Sequence, residues 1–535
     1  MSLATVMGQL TAGLAPRAAD NTPPPFPTPH IDYRALLPML IVGGVAAVGV
    51  LVEALVPRAR RAITQTVLSL AGLVAALIAV VSNTSIRNIT AGGAISVDGP
   101  TLFIQGTVIA VSIGAMLLIA DRSFGRDADF AAQAADVPGS AAEQASVRAG
   151  FVHTEVFPLT LFAVTGMLLF PAANDLITMF VGLEVLSLPL YLLVGMARRR
   201  RLLSQEAAVK YFLLGAFSSA FFVYGMALVY GYANSVKFSD IATALSASTH
   251  GDPLLIVGLA LLGIALIFKL SGAPFHWWTP DVYQGAPTPI TAFMASGTKI
   301  AAFGALLRVL FVAFGGLSWD WRPVIWGVAI VTMVVGAVVG VTQTDVKRLL
   351  AYSSIAHAGF LLTAVGGATV ATADSESSVL FYLVAYGFMT IGAFAIVMLV
   401  RDADGEANHL SRWVGLGRRS PLIAGIFAFF LLAFAGLPPT SGLWAKVAVF
   451  KAAYEGGAAP LVIVGMLASA VTAYYYVRII VLMFFQEPAV DGPTVAAPTV
   501  FTSAAVVIGV AATLVLGIAP QPLLDLAGKA VPFLR

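Results

Sequence analysis

The sequence predicts an all-α integral membrane protein of about fourteen transmembrane helices, and three observations carry that prediction. Of its 535 residues, 59% are hydrophobic and only 11% are charged, whereas a soluble domain is nearer a quarter charged. The apolar residues fall in runs of roughly 20, the length that crosses a bilayer's hydrocarbon. The 30 basic residues lie mostly between those runs, not on the concentrated face that nucleic acid would require.

Taken in order, residues 1–34 read as an N-terminal extramembrane arm: a mild apolar stretch, then the proline-rich run Thr22–Pro29. No basic region precedes Ala4–Leu14, which argues against a cleaved signal peptide. Spans one to three are expected at 35–56, 64–82 and 102–120, inside a unit covering 35–150. Spans four to eight follow at 153–171, 174–197, 206–231, 254–276 and 289–313, within 151–315. Spans nine to thirteen follow at 323–341, 346–366, 378–400, 421–451 and 459–484, within 316–486. Residues 487–535 hold span fourteen, 499–518, which Pro498 and Pro520 bracket tightly, and a C-terminal tail.

Positive charge sets the expected orientation. Loops after odd-numbered spans carry 16 basic residues and the opposite side carries 8. Both termini are therefore expected on the outer side of the cell membrane, with the Arg198–Arg201 cluster in the cytoplasm. That cluster is open between a partner surface and a plain orientation signal.

There is no cysteine, hence no disulfide, no thiolate zinc site and no ordinary iron–sulfur cluster in this chain. Neither a G-x-G-x-x-G nor a Walker-type phosphate loop is present. No cofactor or metal is expected to be bound here.

The informative residues are charges inside apolar runs: Glu184, Lys269, Lys299 and Lys446. Each costs about 2.5–3.5 kcal/mol on insertion scales, so four cost about 10–14 kcal/mol. That is comparable to the stability of a whole domain. Structural ion pairing alone does not explain them, because three lysines face one glutamate. At least two lysines need water, another partner or deprotonation, and deprotonation is what a proton carrier needs. A second group is Lys210, His276 and His357. Lys210 lies near a span end, where snorkelling competes with function. His276 follows Lys269 by seven residues, on the same face if the helix stays regular. His357 follows Ala351–Ser354 in span ten. Arg308 and Arg478 lie near span ends and read as ordinary anchors.

Two spans are interrupted, at Lys269–Pro274 and at Gly436–Gly442. Freed backbone carbonyls are tolerable in a membrane only beside a cavity or another helix. Paired interruptions point to ion sites in proteins built from repeats. The two breaks lie five spans apart, and an odd offset makes corresponding helices cross in opposite directions. The expected repeat is therefore inverted, with helices 4–8 against helices 9–13 and broken helices 7 and 12.

The run FKLSGAPFHWWTPDVYQGAPTP from Phe268 to Pro289 resembles the signature of the antiporter-like subunits of respiratory complex I, the proton-translocating NADH–quinone oxidoreductase. VGLEVLSLPLY at Val181–Tyr191, QEAAVKY at Gln205–Tyr211 and KRLLAYSS at Lys347–Ser354 extend the resemblance over residues 150–485. Within that group the chain is most similar to the subunit N branch. The resemblance implies that Glu184 and Lys269 form the essential pair of helices five and seven. Lys299 matches the connecting position in helix eight and Lys446 the outer-channel position in helix twelve. Lysine at all three places fits subunit N better than its larger relatives, which tend to carry histidine in helix eight or glutamate in helix twelve. His357 does not clearly match that pattern. The resemblance further implies flavin and iron–sulfur clusters in partner subunits, quinone as the substrate of the complex, and further antiporter-like subunits as neighbours in the bilayer. Two other readings stand beside it: a subunit of an Mrp-type cation/proton antiporter or membrane-bound hydrogenase, and a structural spacer.

Overall fold

A computed structural model describes residues 31–121, 130, 137, 140–148, 153–198, 200–247, 253–368, 374–402, 405–488, 492 and 494–534. Residues 1–30 of the expected N-terminal arm, and Arg122, Arg126 and Arg199 of the basic loops, lie outside them. Among the described residues, 11 helices are long and apolar enough to span a bilayer. Three shorter apolar helices, Val156–Ala172, Pro253–Lys269 and Pro421–Ala435, bring the set to the expected fourteen.

In chain order these are α1 (Tyr33–Leu55), α2 (Arg58–Ser82), α3 (Gly99–Ala120), α4 (Val156–Leu169), α5 (Leu176–Val194), α6 (Arg201–Ala233) and α7a (Pro253–Lys269). They continue with α7b (Trp278–Gly285), α8 (Thr288–Ala313), α9 (Ser318–Val341), α10 (Val346–Gly367) and α11 (Asp374–Leu399). Then follow α12a (Pro421–Ala435), α12b (Ser441–Glu455), α13 (Ala459–Phe485), α14 (Val500–Ile518) and the amphipathic α15 (Gln521–Ala530).

Several helices begin where a short polar side chain accepts from their first free N–H groups, which are otherwise unsatisfied. Asp32, Asp98, Asp175, Asp345 and Thr499 cap α1, α3, α5, α10 and α14 in this way. The observed helices start earlier than the apolar runs at α2, α6, α9 and α11. Charged residues such as Arg58 and Arg201 continue a helix into the interface, since helical hydrogen bonding does not need an apolar side chain.

Spans seven and twelve are broken as expected, and the break in span seven is longer than a proline kink. Helix geometry stops at Lys269, and the chain runs through Leu270–Trp277 before α7b. His276 therefore does not share a regular helical face with Lys269. In span twelve the break is Gly436–Thr440, where Gly436 adopts φ 85°, a left-handed conformation that suits glycine.

Packing between helices relies on small residues, as is usual in membranes. A Cβ at Gly166 of α4 would stand 2.2 Å from the Leu186 nitrogen of α5, and one at Gly336 of α9 would stand 2.4 Å from the Ala356 nitrogen of α10. Helices α8, α10 and α11 form the centre. The apolar windows of α8 and α11 are 94% buried and that of α10 is 100% buried, against 28% for α6. Small sheets decorate the ends: β1 (Asn88–Thr90) with β2 (Ile95–Val97), and β3 (Val400–Asp402) between β4 (Gly405–Glu406) and β5 (Thr494–Val495), all antiparallel.

Candidate functional site

The four charges expected inside the bilayer all lie in the bundle, and the three lysines lie along one chain of polar and aromatic contacts. Glu184, half-buried on α5, accepts a short hydrogen bond from Ser219 of α6. Lys269, buried at the end of α7a, donates to the Ser187 hydroxyl at 2.7 Å and to the Tyr211 hydroxyl at 3.4 Å. Ser187 lies three residues after Glu184, so it shares that face of α5. The Glu184 charge acts on Lys269 through space, yet among the described residues the two are not an ion pair, since they lie more than 4.0 Å apart. The expected pair is therefore a charge interaction at a distance, each member holding a nearer hydroxyl: Ser219 at Glu184 and Ser187 at Lys269.

From Lys269 the contacts run inward. Tyr211 stacks on Trp278 at 4.8 Å, and Trp278 meets the edge of Tyr283 at 6.4 Å. The Tyr283 hydroxyl lies against Ser354 of α10. Lys299, buried in α8, donates to the Ser354 hydroxyl at 2.6 Å and also to the Ser354 carbonyl. Its ammonium sits 5.2 Å from the Tyr386 ring of α11. A π-helical turn, Met294–Thr298, immediately precedes Lys299. Such turns carry one extra residue and recur at functional positions.

His357 lies next on this path, which gives a place to the residue that motif comparison left open. Its Nδ1 hydrogen-bonds the Tyr382 hydroxyl at 2.6 Å, while its Nε2 is buried without a partner. Its ring packs on Tyr386 at 5.1 Å and on Phe360 at 5.6 Å. The charges of both Lys446 and Lys299 reach it. Lys446, on α12b, sits 5.1 Å from the Phe360 ring. It donates to the Ser469 hydroxyl at 2.7 Å and to the Ala435 carbonyl at 2.9 Å, one of the carbonyls left without a helical partner where α12a stops. The break in span twelve thus supplies a ligand for the lysine beyond it.

Among the described residues, no carboxylate lies within 4.0 Å of the Lys269, Lys299 or Lys446 ammonium groups. Their polar contacts are hydroxyls and carbonyls, which solvate a cation and also accept a hydrogen bond from a neutral amine's N–H.

The remaining two candidates are placed differently. Lys210 is 43% exposed and pairs with Glu206 at 2.6 Å and Asp281 at 2.7 Å; Arg348 binds the same Asp281 at 2.6 Å. It belongs to a surface ion network, in line with the snorkelling alternative. His276 is buried in the break of span seven, stacked on Trp277 at 4.9 Å, with Nδ1 unpartnered. None of its contacts joins it to the chain from Lys269 to Lys446.

Two ion pairs escaped the sequence. Arg308 is no interfacial anchor: it is fully buried, donating from Nη2 to both Asp98 oxygens at 2.8 Å, and from Nε to the Pro171 carbonyl at 2.7 Å. Phe533 covers its guanidinium at 4.8 Å, and the Leu534 N–H donates to Asp98 at 3.0 Å. In the loop after α11, Glu406 pairs with buried Lys347 at 3.1 Å and accepts from Thr288. Burial pushes the Glu406 carboxyl up, but the Lys347 ammonium and the Thr288 hydroxyl outweigh it and hold it below the usual carboxylate range. Asp98 and Glu406 lie outside any apolar run, so no hydropathy signal marks them. Ser187 and Ser354 stand three residues from Glu184 and His357, but serine is common in membrane helices and that spacing alone does not single them out. No group of three or more possible metal ligands occurs among the described residues.

Comparison with known proteins agrees with this architecture. Residues 173–472 match the family described as NADH:quinone oxidoreductase/Mrp antiporter, TM. NADH-quinone oxidoreductase subunit N of Acidothermus cellulolyticus is 80% identical over 519 residues, covering 97% of this chain and 99% of that protein. Subunit N of Rhodococcus opacus is 61% identical over 530 residues, covering 95% and 97%. A chain of respiratory complex I from Thermus thermophilus with bound aureothin superposes with a TM-score of 0.74 at 32% identity, covering 92% and 99%. The Mrp complex from a Dietzia species shares the fold, with a TM-score of 0.76 at 22% identity, covering 92% and 97%. A predominantly helical membrane bundle with buried lysines in α7a, α8, α10 and α12b, and this degree of identity over nearly its full length, place the chain in the NADH-quinone oxidoreductase subunit N family of antiporter-like membrane proteins.

Proposed function

We propose that the chain translocates protons across the cell membrane as the subunit N of an NADH-quinone oxidoreductase, with Glu184, Lys269, Lys299 and Lys446 as its proton-handling groups. The observation that carries this reading is the set of three buried ammonium groups solvated by hydroxyls and carbonyls without a contacting carboxylate. A structural ion pair would hold its carboxylate in contact, whereas a lysine that must lose and regain a proton is better served by neutral partners. His357, between Lys299 and Lys446, joins the path: its buried Nε2 can take a proton from one side while Nδ1 faces Tyr382.

In this reading, Glu184 acts as the remote control of Lys269. A carboxylate charge nearby favours the ammonium form, and neutralising or withdrawing it lets burial expel the proton. Water bridges Lys269, Lys299 and Lys446, which the aromatic side chains between them separate. Helices 4–8 and 9–13 act as two inverted halves, each with one broken helix. Electrons pass through flavin and iron–sulfur clusters in partner subunits to quinone, and further antiporter-like subunits lie beside this chain in the membrane. Both termini face outward, on the strength of the 16-to-8 distribution of basic residues.

The test is Lys299→Ala in the whole complex. Proton pumping falls at least about tenfold, while NADH oxidation by an artificial acceptor, which takes electrons upstream of the membrane, is retained. Unchanged pumping, or loss of both activities together with assembly, overturns the assignment.

A further inference from the structure

A groove of about 450 Å³ opens between α2, α3, α11 and α15, away from the lysine chain. Its walls are apolar, with Leu77, Val80, Leu102, Phe103, Val384 and Phe388 among them. Along α3 the lining runs from Gly99 to Ala110, about 16 Å at 1.5 Å per residue. That depth is about half of a hydrocarbon core roughly 30 Å thick, or one leaflet.

The groove is charged at one rim. Arg87, between α2 and β1, and Lys529, on α15, both line it and both are exposed. Arg87 donates from Nη1 to the Thr84 and Ile86 carbonyls at 3.0 and 2.8 Å. No carboxylate lies within 4.0 Å of either cation among the described residues. The rim is built, not incidental. A Cβ at Gly99 would fall 1.9 Å from the Ala530 carbonyl oxygen, so α15 is seated hard on the start of α3. That contact holds Lys529 at the rim and brings Leu523 and Leu526 over the groove.

We propose that this groove binds one anionic phospholipid, with an acyl chain along α3 and its phosphate between Arg87 and Lys529. The match is of depth and of charge: an apolar slot one leaflet deep ends in two cations with no carboxylate of their own, at the level where headgroups lie. Lipid phosphate attracts basic residues at that level, and the attraction adds to acyl burial. The inference does not depend on the proton path, since none of these residues touches it.

The experiment places the photoreactive p-benzoyl-phenylalanine at Phe103 in the assembled complex and irradiates native membranes before any detergent is added. Intact-mass measurement should find the chain carrying the added mass of one phospholipid. Arg87→Gln combined with Lys529→Gln should lower that adduct at least fivefold, with assembly and NADH oxidation unchanged. A cross-link to another polypeptide would make the groove a subunit contact and overturn the proposal. An assembled complex with no lipid adduct, or an adduct indifferent to the two substitutions, also overturns it.

Discussion

Glu184 and Lys269, which the sequence presents as a pair, hold separate hydroxyl partners, and that placement changes what their mutants should do. A contacting buried pair costs about 3–5 kcal/mol when one partner is removed. Here Glu184 and Lys269 each keep a neutral partner, Ser219 and Ser187. A double-mutant cycle of Glu184→Gln and Lys269→Met, read as thermal stability of the purified complex, should give a coupling of about 1 kcal/mol or less, between the near-additivity of sites that share no partner and the larger values of contacting groups. Both single variants should nevertheless lose pumping. A coupling near 4 kcal/mol would restore the direct pair. His357→Phe preserves an aromatic ring among Phe360, Tyr386 and Phe434 but removes the unpartnered Nε2. Assembly should survive and pumping should fall severalfold; unchanged pumping would take His357 off the path. The buried charges were legible because charge in an apolar run is expensive. Their immediate partners were not, since serine and tyrosine are common in membrane helices and only the packing of α5, α6, α10 and α11 singles out Ser187, Tyr211, Ser354 and Tyr386.

Helix breaks illustrate what a sequence carries at the scale of elements. Proline and glycine announce both interruptions, but not where helical hydrogen bonding resumes. The chain between α7a and α7b runs eight residues, Leu270–Trp277, and carries His276 away from the line of Lys269. The π-helical turns in α8 leave no comparable mark, because residues of ordinary helix propensity form them. The Glu406 loop gives a test of pH dependence. Its carboxyl lies below the usual range, so its contribution to stability is present above the ordinary carboxylate value and is lost as pH falls through the folded one. Thermal stability of the complex should therefore fall on acidification below about pH 4.3. Glu406→Gln should lower stability at neutral pH and flatten that acid limb. An acid limb identical in the variant would remove Glu406 as its source.

Orientation and long-range ties belong to the whole molecule. The bias of basic residues predicts that a cysteine replacing exposed Ala59 reacts only from the cytoplasm and one replacing exposed Gln521 only from outside. The native chain has no cysteine to interfere, and reversed labelling would invert every directional statement. Asp98 and Arg308 join parts of the chain 210 residues apart, with Phe533 and Leu534 packed on them. Arg308→Met should destabilise the fold by about 3–5 kcal/mol through the orphaned aspartate, and adding Asp98→Leu should recover much of that loss in the melting temperature. Such ties are invisible to hydropathy, which reads each span alone; span number and broken spans are legible because each is written locally. Protein almost wholly surrounds α8, α10 and α11, and Lys269, Lys299 and His357 lie near the middle of their spans. Moving a charge across a membrane costs about 2.3 kcal/mol per 100 mV, and that work accrues only with depth. Transfer from one helix to the next at constant depth is electrically almost free. The membrane voltage must then act on the entry and exit legs, so the voltage sensitivity of turnover would report on those two gates and be silent about the horizontal steps between them.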